Sequence, residues 1–181
     1  MRTSGRQRTV EQLVEEHYAA LYRYAYRLTG LCADAEDLTQ DTFLKAQAHL
    51  GQLRDPGRAK PWLFSILRNA YLHRARSDKQ ERRVSLDEVG DLPEPLPEAL
   101  PAVDPERLQE ALNELPEVFR TPIILYYFED FSYRDIADQM DLPIGTVMSR
   151  LARAKVHLRG RLLPVAPEVL ADGPRRATDG L

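Results

Sequence analysis

The sequence predicts an all-α fold: two small helical domains joined by a flexible, acidic, Pro-rich linker. Three observations carry that expectation. Apolar residues recur at three- and four-residue spacing on both sides of the middle of the chain. Residues 85–104 hold Pro93, Pro95, Pro97 and Pro101 with six acidic and no basic side chains, a composition that interrupts helices and keeps a chain extended. The last third contains two short amphipathic runs separated by Asp141-Leu142-Pro143. Domains are therefore expected at 1–84 and 105–163, with the linker at 85–104 and a mobile tail, broken by Pro and Gly, at 164–181.

In the first domain, Val10, Leu13, Val14, His17, Leu21, Tyr24, Ala25 and Leu28 define one amphipathic helix that Gly30 stops. A second is expected to begin near Ala33 to Asp37, where acids suit a helix N-terminus, and to reach about Leu50. A loop over 51–60 leads to a third helix, with Pro61 as its first residue and Trp62, Leu63, Ile66, Leu67, Ala70 and Tyr71 as its apolar side. After the linker, Pro105 to Leu115 reads as a helix and Pro116 starts another through about Phe128. The run Ile123 to Phe128 suits helix or strand.

Composition bounds what the chain can do. The 181 residues are 43% hydrophobic, enough for two modest cores. No apolar run approaches the roughly 20 residues that cross a bilayer, and the start is basic and polar. Cys32 is the single cysteine, without Cys or His neighbours at metal-ligand spacing, so a reducing cytoplasm is expected and neither a metal nor a cofactor. His17, His49, His73 and His157 are scattered, and no glycine loop or nucleophile-and-base pair suggests an enzyme.

The net charge of −3 argues at first against nucleic acid. Its distribution argues otherwise, because residues 1–84 hold 15 basic and 10 acidic side chains while the linker holds only acids. From Ile144 to Arg161 the chain carries Arg150, Arg153, Lys155, Arg159 and Arg161 and no acid.

That cationic stretch is the second half of a helix-turn-helix pattern. Ser132 and Asp135 form a capping box, Asp141-Leu142-Pro143 breaks the short first helix, and Ile136, Ala137 and Met140 face the stripe Val147, Leu151, Ala154 and Leu158. The second helix of such a motif enters the major groove. Thr146, Met148, Ser149, Ala152 and Arg153 point away from the stripe and suit base edges, with Arg150, Lys155 and Arg159 suited to phosphate. A solvated basic helix in a bundle is the plain alternative.

Two further segments bear on function. Asp37, Gln40, Asp41 and Leu44 share one helical face that would repel DNA and suit a basic protein, although a solvated face at a helix start accounts for the same spacing. Lys60 to Arg76 interleaves basic and aromatic residues, as proteins that hold single strands do. Trp62 and Phe64 as core residues with surface arginines fit that segment equally.

Taken together, these stretches resemble the extracytoplasmic-function (ECF) sigma factors of bacterial RNA polymerase from about Val10 to Leu162. The resemblance rests on Tyr22-Arg23-Tyr24-Ala25-Tyr26-Arg27-Leu28-Thr29-Gly30, Asp34 to Phe43, Trp62-Leu63-Phe64 with Arg68-Asn69, and Gly145 to Leu151. It implies a two-domain initiation factor that binds core RNA polymerase and promoter DNA, is held by an anti-sigma protein in many members, and has no catalysis of its own. Asp37, Gln40, Asp41, Phe43 and Leu44 would then dock on polymerase. Leu53, Arg54, Lys60, Trp62, Arg68, Asn69, Arg74 and Arg76 would serve the minus-ten element, with Leu53, Arg54 and Asn69 near a pocket that captures an unstacked base. Arg134, Thr146, Met148, Ser149, Arg150, Arg153 and Lys155 would serve the minus-thirty-five element. Met148 stands where some members carry arginine, which shifts reading toward Ser149 and Arg153. The acidic linker would thread toward the polymerase channel. A free-standing helix-turn-helix dimer would leave the Asp37 and Trp62 segments without a joint role.

Overall fold

The computed structural model describes residues 9–78 and 104–163, with the side chains of 76–78 excluded. The expected linker up to residue 103, the tail after 163 and the side chain of Arg76 therefore lie outside the described residues, while Asp104 caps the helix that follows. Within them the chain is helical and contains no strand.

Helix α1 (Val10–Thr29) begins at a capping box in which Thr9 and Gln12 exchange hydrogen bonds of 3.1 and 3.4 Å. It ends at Gly30, whose positive φ of 76° lets its N–H turn back 2.7 Å to the Tyr26 oxygen. A side chain there would also strike Asn113. Helices α2 (Cys32–Ala48) and α3 (Ala59–Asp78) pack on α1 around Leu13, Leu21, Leu28, Leu38, Leu63 and Leu67, all buried. Inside α2, Thr39 and Thr42 satisfy their buried hydroxyls on the backbone oxygens four residues back, both at 2.7 Å.

The loop before α3 holds two short 3-10 turns, Leu50–Gln52 and Pro56–Arg58, and the second runs straight into α3. The helix therefore starts at Ala59, two residues before Pro61, which still sits in the first turn where its missing N–H costs nothing.

Helices α4 (Pro105–Glu114), α5 (Glu117–Phe128), α6 (Tyr133–Met140) and α7 (Ile144–Leu162) form the second group. The ambiguous run Ile123 to Phe128 is helical. Thr121 to Leu125 are buried in succession because α5 lies between α7 on one side and α1 on the other, which removes the amphipathic period from its sequence.

The two groups pack against each other. Phe64 of α3 meets Phe131 with ring centroids 5.1 Å apart, and Arg27 of α1 lies 3.7 Å over the Phe128 ring. The C-terminal end of α1 is received by side chains of the second group: Gln109 Nε2 donates to the Arg27 oxygen at 3.2 Å and Arg120 Nη1 to the Leu28 oxygen at 2.7 Å. Arg120 also donates to the Asn113 and Leu115 oxygens, each 2.8 Å from Nη2. One guanidinium thus satisfies the terminal carbonyls of two helices and adds positive charge where both dipoles are negative.

Replacing Arg120 by Met should strand those carbonyls and lower unfolding stability by about 3 kcal/mol, the order expected for hydrogen bonds to a charged group. Urea denaturation measures the change, and a loss well under about 1 kcal/mol would show that water replaces the guanidinium at that junction.

Candidate nucleic-acid interface

The helix-turn-helix is built as its residues require. Ser132 Oγ accepts from the Asp135 N–H at 3.1 Å, and Asp135 Oδ2 accepts from the Ser132 N–H at 3.2 Å. Asp141 adopts a left-handed φ of 53°, and the Leu142 N–H returns 3.0 Å to the Ala137 oxygen, so the chain reverses within three residues. Pro143 then precedes α7, and Val147, Leu151, Ala154 and Leu158 are buried opposite Ile136, Ala137 and Met140.

Outside that seam, Met148, Ser149 and Arg153 are exposed on α7 and Arg134 on α6, while Thr146, Arg150 and Lys155 are half-buried. The Ser149 hydroxyl donates to the Thr146 oxygen at 2.9 Å, which leaves its lone pairs outward. Lys155 reaches over the Tyr127 ring at 5.2 Å, a resting place on α5 that a phosphate can compete for.

On α2, Asp37 and Gln40 are exposed and Leu44 is 64% exposed. Asp41 forms an ion pair with Arg74 that ties α2 to α3. Phe43 departs from the expected docking face. It is only 8% exposed and stacks beside Tyr18, with centroids 6.3 Å apart and planes 10° from parallel. Its place in the core follows from the helical turn, which puts it in line with buried Thr39 and Ala46 at the inner edge of the face that carries Gln40.

The minus-ten candidates are not brought to one place, and Arg74 is the residue already paired with Asp41. Leu53, Arg54 and Trp62 line a cleft of about 350 Å³ whose opposite wall is Asp135, Asp138 and Gln139 of the helix-turn-helix. Asn69 is exposed. Lys60 and Arg68, by contrast, are engaged by the second group of helices. Lys60 Nζ donates to the Glu129 backbone oxygen, and Arg68 pairs with Glu117 at 3.4 Å with both side chains largely buried. Arg68 also donates to the Gln139 oxygen at 3.5 Å. Glu117, Glu129, Asp138 and Gln139 thus cover the first group, a role that no local spacing in the sequence signals.

Residues 13–81 match the family described as Sigma-70 region 2, and residues 106–158 match Sigma-70, region 4. The chain is 37% identical over 150 residues to the ECF RNA polymerase sigma factor SigL of Mycobacterium tuberculosis, covering 81% of this chain and 85% of SigL. It belongs to the ECF RNA polymerase sigma factors. Similarity to the ECF sigma factor SigE of Mycolicibacterium smegmatis is 35% over 164 residues, covering 84% of this chain and 61% of SigE. Among solved structures, the sigma factor RpoE from Bartonella quintana, in complex with the anti-sigma factor NepR, aligns with a TM-score of 0.66 at 31% identity over 83% of this chain and 94% of that one. ECF sigma factors direct promoter-specific transcription initiation, and that is the function of this chain. Its region 2 comprises α1–α3 and its region 4 comprises α4–α7. No helix among the described residues is long and apolar enough to cross a membrane.

Where regions 2 and 4 of this ECF sigma factor meet, Glu129 is 2% exposed and faces Arg23 at 4.0 Å. Its Oε1 meets no donor among the described residues. Burial pushes its carboxyl up to about 7, against the opposing pull of Arg23, Lys60 and Arg27 and with the help of Asp130. Between the ordinary value and about 7 the folded chain therefore holds a proton that the unfolded chain releases, so stability falls as pH rises through that window. Glu129→Gln should remove this slope, so that melting midpoints measured from about pH 5 to about pH 8 vary less than those of the native chain. An unchanged slope would place the titration elsewhere.

Proposed function

We propose that the division of labour within this sigma factor follows the chain, with units at 1–84, 85–104, 105–163 and 164–181. Core RNA polymerase is bound through the exposed face of α2, where Asp37, Gln40, Asp41 and Leu44 offer acids and an amide around one apolar contact and Phe43 supports that face from the core. The minus-ten element is engaged by Leu53, Arg54, Lys60, Trp62, Arg68, Asn69, Arg74 and Arg76. The minus-thirty-five duplex is read by α7 through Thr146, Met148, Ser149, Arg150, Arg153 and Lys155, with Arg134 of α6 on the backbone.

The observation that carries this reading is α7, a helix without a single acid from Ile144 to Arg161, set in a helix-turn-helix opposite a region 2 whose loop and α3 form a cleft beside Trp62. Neither element needs to bind tightly alone, because joining two weak contacts on one polymerase raises the effective concentration of the second. The catalytic groups belong to polymerase, and the chain works with it in the cytoplasm.

The packed arrangement is a resting form in this reading. A nucleic-acid strand entering beside Trp62 would meet the carboxylates of Asp135 and Asp138, and Arg68 and Lys60 are held by region 4. Regions 2 and 4 therefore separate when polymerase and DNA take over their contacts. A partner that holds them together would silence the chain, and an anti-sigma protein, the class of partner bound to the Bartonella quintana relative, suits that role.

The test is transcription by core polymerase mixed with the purified chain on a pool of genomic fragments, with the double variant Asp37→Lys, Asp41→Lys beside it. The native chain should start transcripts at a small set of promoters sharing two spaced elements. The variant should keep its helical circular dichroism and lose polymerase capture by at least tenfold, the effect of about 1.4 kcal/mol. Full capture by the variant would move the docking face off α2.

A further inference from the structure

Helix α7 opens with two large apolar side chains that the fold leaves unused. Ile144 is 44% exposed and Met148 is 53% exposed, and neither belongs to the apolar core. Their four-residue spacing places them one above the other on the same side of the first turns. The helix needs neither for packing, since Val147, Leu151, Ala154 and Leu158 already fill the seam against its neighbours. Side by side, they make a small apolar patch at the N-terminal end of a cationic helix, the end that a recognition helix presents to base edges.

The chemistry of the two side chains narrows that partner. A thioether is a weak acceptor and an isoleucine has no polar atom, so neither can donate to the O6 and N7 acceptors of guanine or make the paired bonds that adenine requires. In the major groove the one apolar group on a base edge is the 5-methyl of thymine. The polar readers of this helix are Thr146, half-buried between the two hydrophobes, Ser149, with its hydroxyl proton committed to the Thr146 oxygen at 2.9 Å, and Arg153, more than a turn further on. The N-terminal end of a recognition helix is the part that reaches deepest among base edges. Two hydrophobes there, beside Gly145 whose missing side chain leaves open space, form a surface fitted to methyl groups.

We propose that Met148 and Ile144 read thymine 5-methyl groups in the minus-thirty-five element, so that part of this chain's promoter specificity is methyl recognition and not hydrogen bonding. The inference rests on the assignment of α7 to the major groove. It explains how a position without an arginine still contributes to base choice, and it excludes guanine as the base favoured opposite Met148.

Replacing thymine by deoxyuridine tests this directly, because only the methyl group is lost. The native chain, assembled with core polymerase, is bound to a promoter recovered by selection, and each thymine in the minus-thirty-five footprint is replaced in turn. At one or two positions the native chain should bind deoxyuridine about fourfold more weakly than thymine, the effect of one buried methyl group. In the Met148→Ala variant that difference should vanish at one of those positions, and selection with Met148→Arg should move the preference there from thymine to guanine. Equal binding of thymine and deoxyuridine at every protected position, or a selected element lacking thymine, would overturn the inference and leave the pair as a protein-docking patch. Absence of any protection upstream of the minus-ten element would instead overturn the groove assignment itself.

Discussion

The arrangement depends on a single guanidinium. Arg120 closes the end of α4 through the Asn113 and Leu115 oxygens and the end of α1 through the Leu28 oxygen, so the internal geometry of region 4 and its attachment to region 2 are fixed together. Burial makes this charge costly, and burial pulls the Arg120 pKa below its usual value. The cost is offset because every bond it makes goes to a carbonyl that its own helix leaves unpaired. The position of α5 then follows, with Phe131 against Phe64 and α6 along the cleft beside Trp62. Gly30 is bound to the same junction, since its left-handed turn lets Asn113 approach where any side chain would collide.

That junction explains a charge pattern that looks unhelpful in a DNA-binding chain. Three cations of residues 1–84 are engaged by the second half: Arg68 by the Glu117 carboxylate, Lys60 by the Glu129 backbone oxygen, and Arg23 by the Glu129 carboxyl. Of these, Arg68 and Lys60 belong to the proposed minus-ten set, so strand binding would exchange the Glu117 carboxylate and the Glu129 backbone oxygen for phosphates. Net charge near zero is what such an internally paired form requires, and a low average charge is compatible with strong local attraction once the pairs part.

Much of this was legible in the sequence where the physics is local. The helices of region 2, the Ser132 capping box, the break at Asp141-Leu142-Pro143 and the buried stripe of α7 each depend on residues a few positions apart. What could not be read depends on residues far apart in the chain. Arg120 resembles any arginine in a helix until the ends of α1 and α4 are brought to it. Phe43 joins the docking set only through the family resemblance, and in the fold it turns inward against Tyr18. The Ile123 to Phe128 run hid its helical period because both regions bury α5, and Pro61 marked the first turn of α3 without marking its first residue. Likewise Asp135 was visible as a cap, but its place opposite Leu53 and Trp62 required the tertiary fold.

The most direct test of the central claim, that regions 2 and 4 are packed at rest and parted at work, is a distance between them. Cys32 is the single cysteine of the chain and is exposed, and Gly160 on α7 has open space where a side chain would begin, so a Gly160→Cys variant carries one spin label on each region. Pulsed electron resonance should find one short, narrow distance in the free chain and a longer one in the polymerase complex on promoter DNA. The same short distance in a complex that initiates transcription would contradict the resting-form account, because the strand would then be read with region 4 still in place.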